Sequence, residues 1–165
     1  MAESELRFPN LERVLDEYGK AVEDLYKKNL LDNDNVASKG LLESVRYIAS
    51  FGDRKYEISV SLRDYFKYIE YGTKPHFPPV DKLLEWIRVK PVLPHPDKNG
   101  KLPTEKQLAY LIGRKISQVG TKANNIMGKT VEEVNNSFME RIYDAIDRDL
   151  DGVATVILNN FTRSW

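Results

Sequence analysis

Cysteine is absent from the 165 residues, which excludes both a disulfide framework and thiolate chemistry and fits a reducing cytoplasm. Histidine is scarce, with only His76 and His95. A metal or acid–base site would need them joined by further ligands at regular spacing. Neither stands four residues from another ligand, and His95 lies between Pro94 and Pro96, so both read as surface or packed side chains. No apolar run approaches the length of a membrane span. The opening MAESELRF is acidic and polar where a secretory leader would be basic and then apolar, so no signal peptide is expected there.

Net charge is missing too. Lys and Arg total 25 and Asp and Glu total 25, which argues against a general nucleic-acid binder. The balance is unevenly spread. Residues 74–129 carry eleven basic and four acidic side chains, a surplus of +7, whereas residues 1–73 stand at −3 and residues 130–165 at −4. Solvated faces are the bland account of this split. The sharper account is a subunit whose basic part meets an acidic part of a neighbour or faces passing DNA.

What is present is ordinary for a folded chain: 41% hydrophobic and 30% charged residues, enough for one domain with its own core. Residues 10–31 carry Leu11, Val14, Leu15, Tyr18, Val22 and Leu25 on one helical face, with Asn10 as the N-cap. Residues 36–50 read as a second helix, weakened near its start by Gly40. The period then changes to two: Tyr56, Ile58, Val60 and Leu62 alternate with polar residues in KYEISVSL, the clearest strand in the chain. A lone strand leaves its edges unpaired, so it needs partners. Residues 47–52 and 91–95, or strands of another subunit, are the candidates.

Beyond the strand, Asp64 and Gly72 bracket a short helix in DYFKYIEYG, and Gly72 is expected to end it with positive φ. Pro78-Pro79 opens a helix striped by Val80, Leu83, Leu84 and Ile87. KPVLPHPDKNGKLP is a loop. Thr104 with Gln107, and Thr130 with Glu133, form two capping boxes. The first opens a helix striped by Leu108, Leu111, Ile112, Ile116 and Val119 and stopped by Gly120. The second opens a final helix running from Val131 through Val134, Phe138, Ile142, Ile146, Leu150 and Val153 to Ile157, with Gly152 as a point for a kink. The expected fold is α+β: a small antiparallel sheet packed with helices and a long C-terminal helix.

Candidate chemistry is sparse. ANNIMGKT, residues 123–130, fits a relaxed phosphate-loop pattern with alanine for its first glycine. Such a loop needs a buried strand before it and a parallel sheet behind it. Here a helix precedes it, and Thr130 is explained as a cap. Glu70, between Ile69 and Tyr71, has only Asp64 as a nearby second carboxylate, so it reads as a structural group bonding the amides of the Gly72-Thr73 turn rather than as a catalytic acid. Tyr65, Tyr68 and Tyr71 read as core and interface, since no basic strand interleaves them into a stacking platform.

The stretch YFKYIEYGT resembles the signature of the tail-completion, or head–tail joining (neck), proteins of long-tailed bacteriophages. In that family a Gly-Leu-x-x-Ser-hydrophobic segment, a strand and an aromatic-Glu-aromatic-Gly-Thr segment follow in order. Here these are GLLESV (40–45), YEISVSL and YIEYGT. HFPPVDKLLEWI followed by LAYLIGRKISQVGTK is similar to a variant with a helical insertion after the Gly-Thr turn, at about residues 78–119. The second Gly-Thr-Lys, at 120–122, would then be where the interrupted segment rejoins the common core. Many relatives continue with a Pro-Phe-hydrophobic-x-Pro-Ala segment, where this chain has ANNIMGKT.

The resemblance covers about residues 35–160 and implies a single head–tail joining domain over 1–165. It implies a structural, non-enzymatic subunit of a homo-oligomeric ring, a hexamer or dodecamer, in the virion neck or at the tail end. Partners would be portal or adaptor proteins or the tail tube, with non-specific contact to passing DNA, and neither cofactor nor membrane would be involved. The chain would be made in the bacterial cytoplasm. Tyr68, Glu70, Tyr71, Gly72, Thr73, Gly120 and Thr121 would form a structural turn and interface, and Tyr56, Ile58, Val60 and Leu62 an interface strand. The rival expectation is a small bacterial or prophage binding or regulatory protein without enzymatic activity. A nucleotide-using enzyme built on MGKT is a third, separated from both by a nucleotide-binding titration.

Overall fold

The structure, a computed structural model, describes residues 7–32, 39–52, 55–90, 92–96 and 98–162. Its elements run α1 (Pro9–Asp32), α2 (Lys39–Ser44), β1 (Arg46–Gly52), β2 (Lys55–Ser61), α3 (Phe66–Tyr71), α4 (Val80–Val89), α5 (Glu105–Val119) and α6 (Ile126–Thr162). This is the α+β class expected, with a two-stranded antiparallel sheet and a long C-terminal helix. The chain divides into two compact units. Residues up to Asn29, Val45–Leu62 and Met127 onward make the first; Leu30–Ser44 and Arg63–Ile126 make the second.

In the first unit α1 and α6 run antiparallel, and the pairing can be followed residue by residue. The Asn29 side-chain amide donates to the Thr130 hydroxyl at 2.9 Å. The Tyr18 hydroxyl donates to Asn135 Oδ1 at 2.8 Å, and its ring meets Phe138 edge-on. Arg141 pairs with Glu17 and lies over the Phe138 ring. At the far end the Asp149 carboxylate accepts the amides of Asn10 and Leu11. Val14, Val22, Tyr26, Val134 and Ala145 are buried in this unit.

Asn10 does not cap α1. The Phe8 carbonyl accepts from the Glu12 amide, so Phe8 occupies the cap position and Pro9 the first helical one, where proline loses no hydrogen bond. Phe8 has no side-chain acceptor. The second and third amides, which a capping side chain normally takes, are taken instead by Asp149, 139 residues away in the chain.

The predicted second helix is corrected. Residues 36–38 lie outside the described residues, as do 1–6 and Pro91. The helix covers only Lys39–Ser44, and β1 replaces the rest. Tyr47, Ala49 and Phe51 face inward opposite Val60, Ile58 and Tyr56. Small Ala49 in the inward row and exposed Ile48 in the outward row blur the alternation, which is why the segment reads as helical. Residues 47–52 were one of the two partner segments expected for the strong strand. The described part of the other, 92–95, is not a strand.

The sheet packs on α1 at Gly19, where a Cβ would lie 2.6 Å from the Tyr47 ring and 3.1 Å from Ile58. Helix and sheet therefore approach as closely as only glycine allows. Beside it the Glu23 carboxylate accepts the Tyr47 amide at 2.8 Å and pairs with Lys27 and Arg46. Tyr47's amide thus points out of the hairpin, so the outward groups of β1 are partly satisfied by a side chain. By the alternation of an antiparallel ladder, the amides and carbonyls of Tyr56, Ile58 and Val60 point away from β1 at the other edge.

Burial pushes the Glu23 carboxyl up, but the hydrogen bonds from Lys27 and the Tyr47 amide and the charges of Lys27 and Arg46 outweigh it, holding the carboxyl below its ordinary range. A depressed carboxyl contributes stability that is complete above its unfolded value and is lost as pH falls through the folded one. Glu23→Gln should therefore cost about 1–2 kcal/mol at neutral pH, as for a hydrogen-bonded charged group. The gap to the natural chain should narrow as pH falls below the ordinary glutamate value of 4.5. Urea unfolding at pH 7 and pH 3 measures it; a gap that widens in acid would contradict the assignment.

In the second unit α4 packs on α5. Leu83, Ile87 and Ala109 form its buried centre, flanked by Val80, Leu84, Leu108, Ile112 and Ile116. The predicted stripe on α5 is corrected at three positions: Leu111 and Val119 are exposed, and Ala109, absent from that stripe, is fully buried. The Thr104–Gln107 capping box is present in full. The Thr130–Glu133 box is not. The final helix starts five residues earlier, and Thr130 is a buried side chain within it, at the same spacing as buried Ile126 and Val134. The helix passes Gly152 without interruption.

Candidate functional site

The repeated Gly-Thr-Lys turns meet each other within the second unit. Thr73 and Thr121, forty-eight residues apart, form an isolated antiparallel bridge. The Thr73 amide donates to the Thr121 carbonyl at 3.2 Å and the Thr121 amide to the Thr73 carbonyl at 3.1 Å. Their hydroxyls stand 3.0 Å apart. The flanking glycines are near copies of one another, with φ/ψ of 67°/−167° at Gly72 and 71°/−160° at Gly120. That region of positive φ with extended ψ is essentially reserved for glycine. Gly72 thus has the positive φ expected of it, but with an extended ψ rather than a left-handed helical one.

The two turns form one clasp. α4 and α5 lie in the chain between the two threonines, so the bridge closes the base of that excursion. The segment after the second turn finishes α3: the Asn124 amide donates to the Ile69 carbonyl and the Asn125 amide to the Glu70 carbonyl. Terminal carbonyls of a short helix, which lack partners of their own, are thereby satisfied from fifty-odd residues away in sequence. Asn125 holds φ of 49° to do so, a conformation asparagine tolerates better than most residues. ANNIMGKT is therefore the return of the chain onto α3 followed by the first turn of α6.

Glu70 is buried. The Thr73 amide expected as its partner donates instead to Thr121. Asp64 does not cap α3; Tyr65 holds the cap position with no side-chain bond. Tyr68 and Tyr71 are strongly exposed, at 64% and 75%, so α3 presents two rings to its surroundings beside the clasp. Tyr68 shares a shallow depression with Gly72, Thr73 and His76, and the His76 ring bonds the Lys74 carbonyl through Nδ1.

The strand residues are placed elsewhere. Tyr56, Ile58 and Val60 turn their side chains inward in the first unit. Tyr56 packs against Phe8 and Phe51, and Leu62 falls just beyond β2, half-buried. What this strand turns outward at its far edge is backbone, while its apolar side chains face inward.

A second concave surface was not foreseen from the sequence. Leu102, Tyr110 and Leu111 line a groove of about 770 Å³ between the loop before α5 and the outer face of that helix, with Lys101 and Lys106 beside them. His95 also borders it. Its only sequence-level signal is the adjacency of Tyr110 and Leu111 on a helix that needs just one buried stripe.

The chemistry available is limited by these placements. The Thr130 hydroxyl is buried and accepts from Asn29, facing α1 rather than any phosphate, while Lys129 is exposed on the helix. Among the described residues no three His, Asp or Glu side chains gather closely enough to hold a metal ion, and no helix is long and apolar enough to cross a membrane. No family model, curated protein or solved structure matches the chain.

Proposed function

We propose that this chain is a structural subunit that joins or completes the head–tail connection of a long-tailed bacteriophage, one copy in a homo-oligomeric ring at the virion neck or tail end, without enzymatic activity. The observation that carries this function is the clasp. If α4 and α5 are an insertion, the common core requires the chain to return to YIEYGT before the last helix begins. The Thr73–Thr121 bridge brings it back to that turn, and Asn124 and Asn125 then bond α3 directly ahead of α6. The edge of β2, which no strand among the described residues pairs, the exposed tyrosines of α3 and the charge split between 74–129 and the two ends suit a subunit built to meet others. Ring neighbours are a hexamer's or dodecamer's next copy, with the portal adaptor or tail tube above and below.

Sedimentation and electron microscopy of the purified protein, alone and mixed with phage heads assembled without it, test this function. Closed rings, or copies added to the heads, are expected, and association should weaken as salt rises because exposed charges are screened beyond about 8 Å at physiological ionic strength. A chain that stays monomeric at every concentration and never binds heads would overturn it in favour of a lone binding or regulatory domain.

A further inference from the structure

The clasp gathers side chains that the sequence keeps apart. On α3, Lys67, Tyr68 and Tyr71 share one face by helical spacing, and all three are exposed. No basic segment is interleaved with these tyrosines along the chain, but the Thr73–Thr121 bridge brings one to them. A Cβ on Gly72 would lie 3.0 Å from the Lys122 carbonyl carbon, and one on Gly120 would lie 3.1 Å from that of Lys74. The backbones of Lys74 and Lys122 thus lie against the two turns. Lys122 also stands directly ahead of the asparagines that bond the end of α3. Tyr68, Lys74 and His76 line the depression beside the clasp, about 440 Å³ in volume.

This surface is positive and unneutralised. Residues 65–79 hold a single acidic side chain, Glu70, and it is buried. Residues 106–131 hold five basic side chains and no acidic one. Asp64, the next acid back, precedes α3, at the end away from the clasp. Among the described residues Lys67, Lys74 and Lys122 form no ion pair or hydrogen bond, and all three are exposed. The balanced charge of the whole chain therefore conceals a local excess. Solvated lysines alone would be ordinary. Set around two exposed rings, they match a ligand that alternates charge with flat apolar faces: phosphates take the ammonium groups, and bases stack on the rings. A carboxylate surface on another protein would use the lysines but not the faces of the tyrosines. A duplex keeps the faces of its bases inside the stack, so the rings favour a single strand.

We propose that the clasp face binds single-stranded nucleic acid, with phosphates on Lys67, Lys74 and Lys122 and bases stacked on Tyr68 and Tyr71. The His76 Nδ1 donates to the Lys74 carbonyl, because a carbonyl only accepts, so Nε2 is the ring atom left for the strand. Stacking and point charges read no base edge, and binding should tolerate any sequence. The inference goes beyond the neck function and does not depend on it.

Fluorescence anisotropy with a labelled oligothymidylate of about 20 nucleotides, longer than the usual site of a stacking platform, tests it. The natural protein should bind this strand at low salt at least tenfold more tightly than a duplex of the same length. The logarithm of its affinity should fall with the logarithm of salt at a slope of about −2, as for three phosphates neutralised on a single strand. Lys74→Ala combined with Lys122→Ala should reduce that slope to about −0.7. Tyr71→Ala should weaken binding at least fivefold at unchanged slope, while Tyr71→Phe, which keeps the ring, should bind as the natural protein does. These side chains are exposed, so every variant should melt with the natural protein. No binding at low salt would overturn the proposal. So would a duplex bound as tightly as the single strand, or Tyr71→Ala binding unchanged. If the lysine variants lost self-association in a protein that never binds the strand, the patch would be a contact between copies and the proposal would fall. Addition to phage heads without strand binding would refute this surface and leave the neck function standing; strand binding by a protein that never adds to heads would do the reverse.

Discussion

Gly72→Ala and Gly120→Ala should each lower stability by about 3–5 kcal/mol, the range of substitutions that combine backbone strain with lost hydrogen bonds. Two costs add at each position. An L side chain is strained at φ near +70° with extended ψ. A Cβ on Gly72 would also lie 2.2 Å from the Thr121 carbonyl oxygen, and one on Gly120 would lie 2.0 Å from that of Thr73. Those contacts are with backbone, which cannot rotate away as a side chain can, so the bridge must open and its reciprocal hydrogen bonds go with it. At this chain length each kcal/mol lowers the melting temperature by about 2–4 °C, so a drop on the order of 10 °C is expected by circular dichroism. Gly100 supplies the control. It also has positive φ, 76°, but a Cβ there would meet nothing within 4 Å, so Gly100→Ala should cost only the conformational strain, about 1–2 kcal/mol. If Gly72→Ala melted with the natural protein, or no lower than Gly100→Ala, the clasp would not hold its unit together.

Asp149→Ala is the second large expected loss, about 2–4 kcal/mol, because it removes a buried charged acceptor from several donors at once. Asp149 is 5% exposed. It accepts the Asn10 amide at 3.2 Å, the Asn10 side-chain amide at 2.7 Å and the Leu11 amide at 2.9 Å. Two of these are orphan donors at the start of α1, and a negative charge there also meets the positive end of the helix dipole. Phe8, in the cap position, has no side-chain acceptor to take its place. Asp149→Asn retains an acceptor oxygen but loses the charge, so it should fall between the natural chain and alanine. Hydrogen exchange gives a local readout: the Asn10 and Leu11 amides should lose protection in Asp149→Ala before the middle of α1 does. Uniform loss along the helix, or none, would contradict a capping role.

Much of the fold is legible in the sequence where local chemistry decides it. α1, α4 and α5 follow from apolar residues at helical spacing, the Thr104–Gln107 box from two residues that satisfy each other, and β2 from strict alternation. The sign of φ at Gly72 follows from glycine after a short apolar segment. Each of these depends on neighbours within a few positions, so the sequence carries it whole. The tertiary structure decided what depends on distant residues. β1 reads as helix because one small inward residue and one apolar outward one hide its period; its pairing with β2 resolves it. Asn10 and Thr130 both read as caps, yet Asp149 caps α1 and Asn29 takes the Thr130 hydroxyl, since partners 139 and 101 residues away leave no local trace. The repeat of Gly-Thr-Lys is visible in the sequence, but the bonding of its two copies to each other is not. A backbone bridge uses amides and carbonyls that nearly every residue has, and only folding brings the two turns within reach.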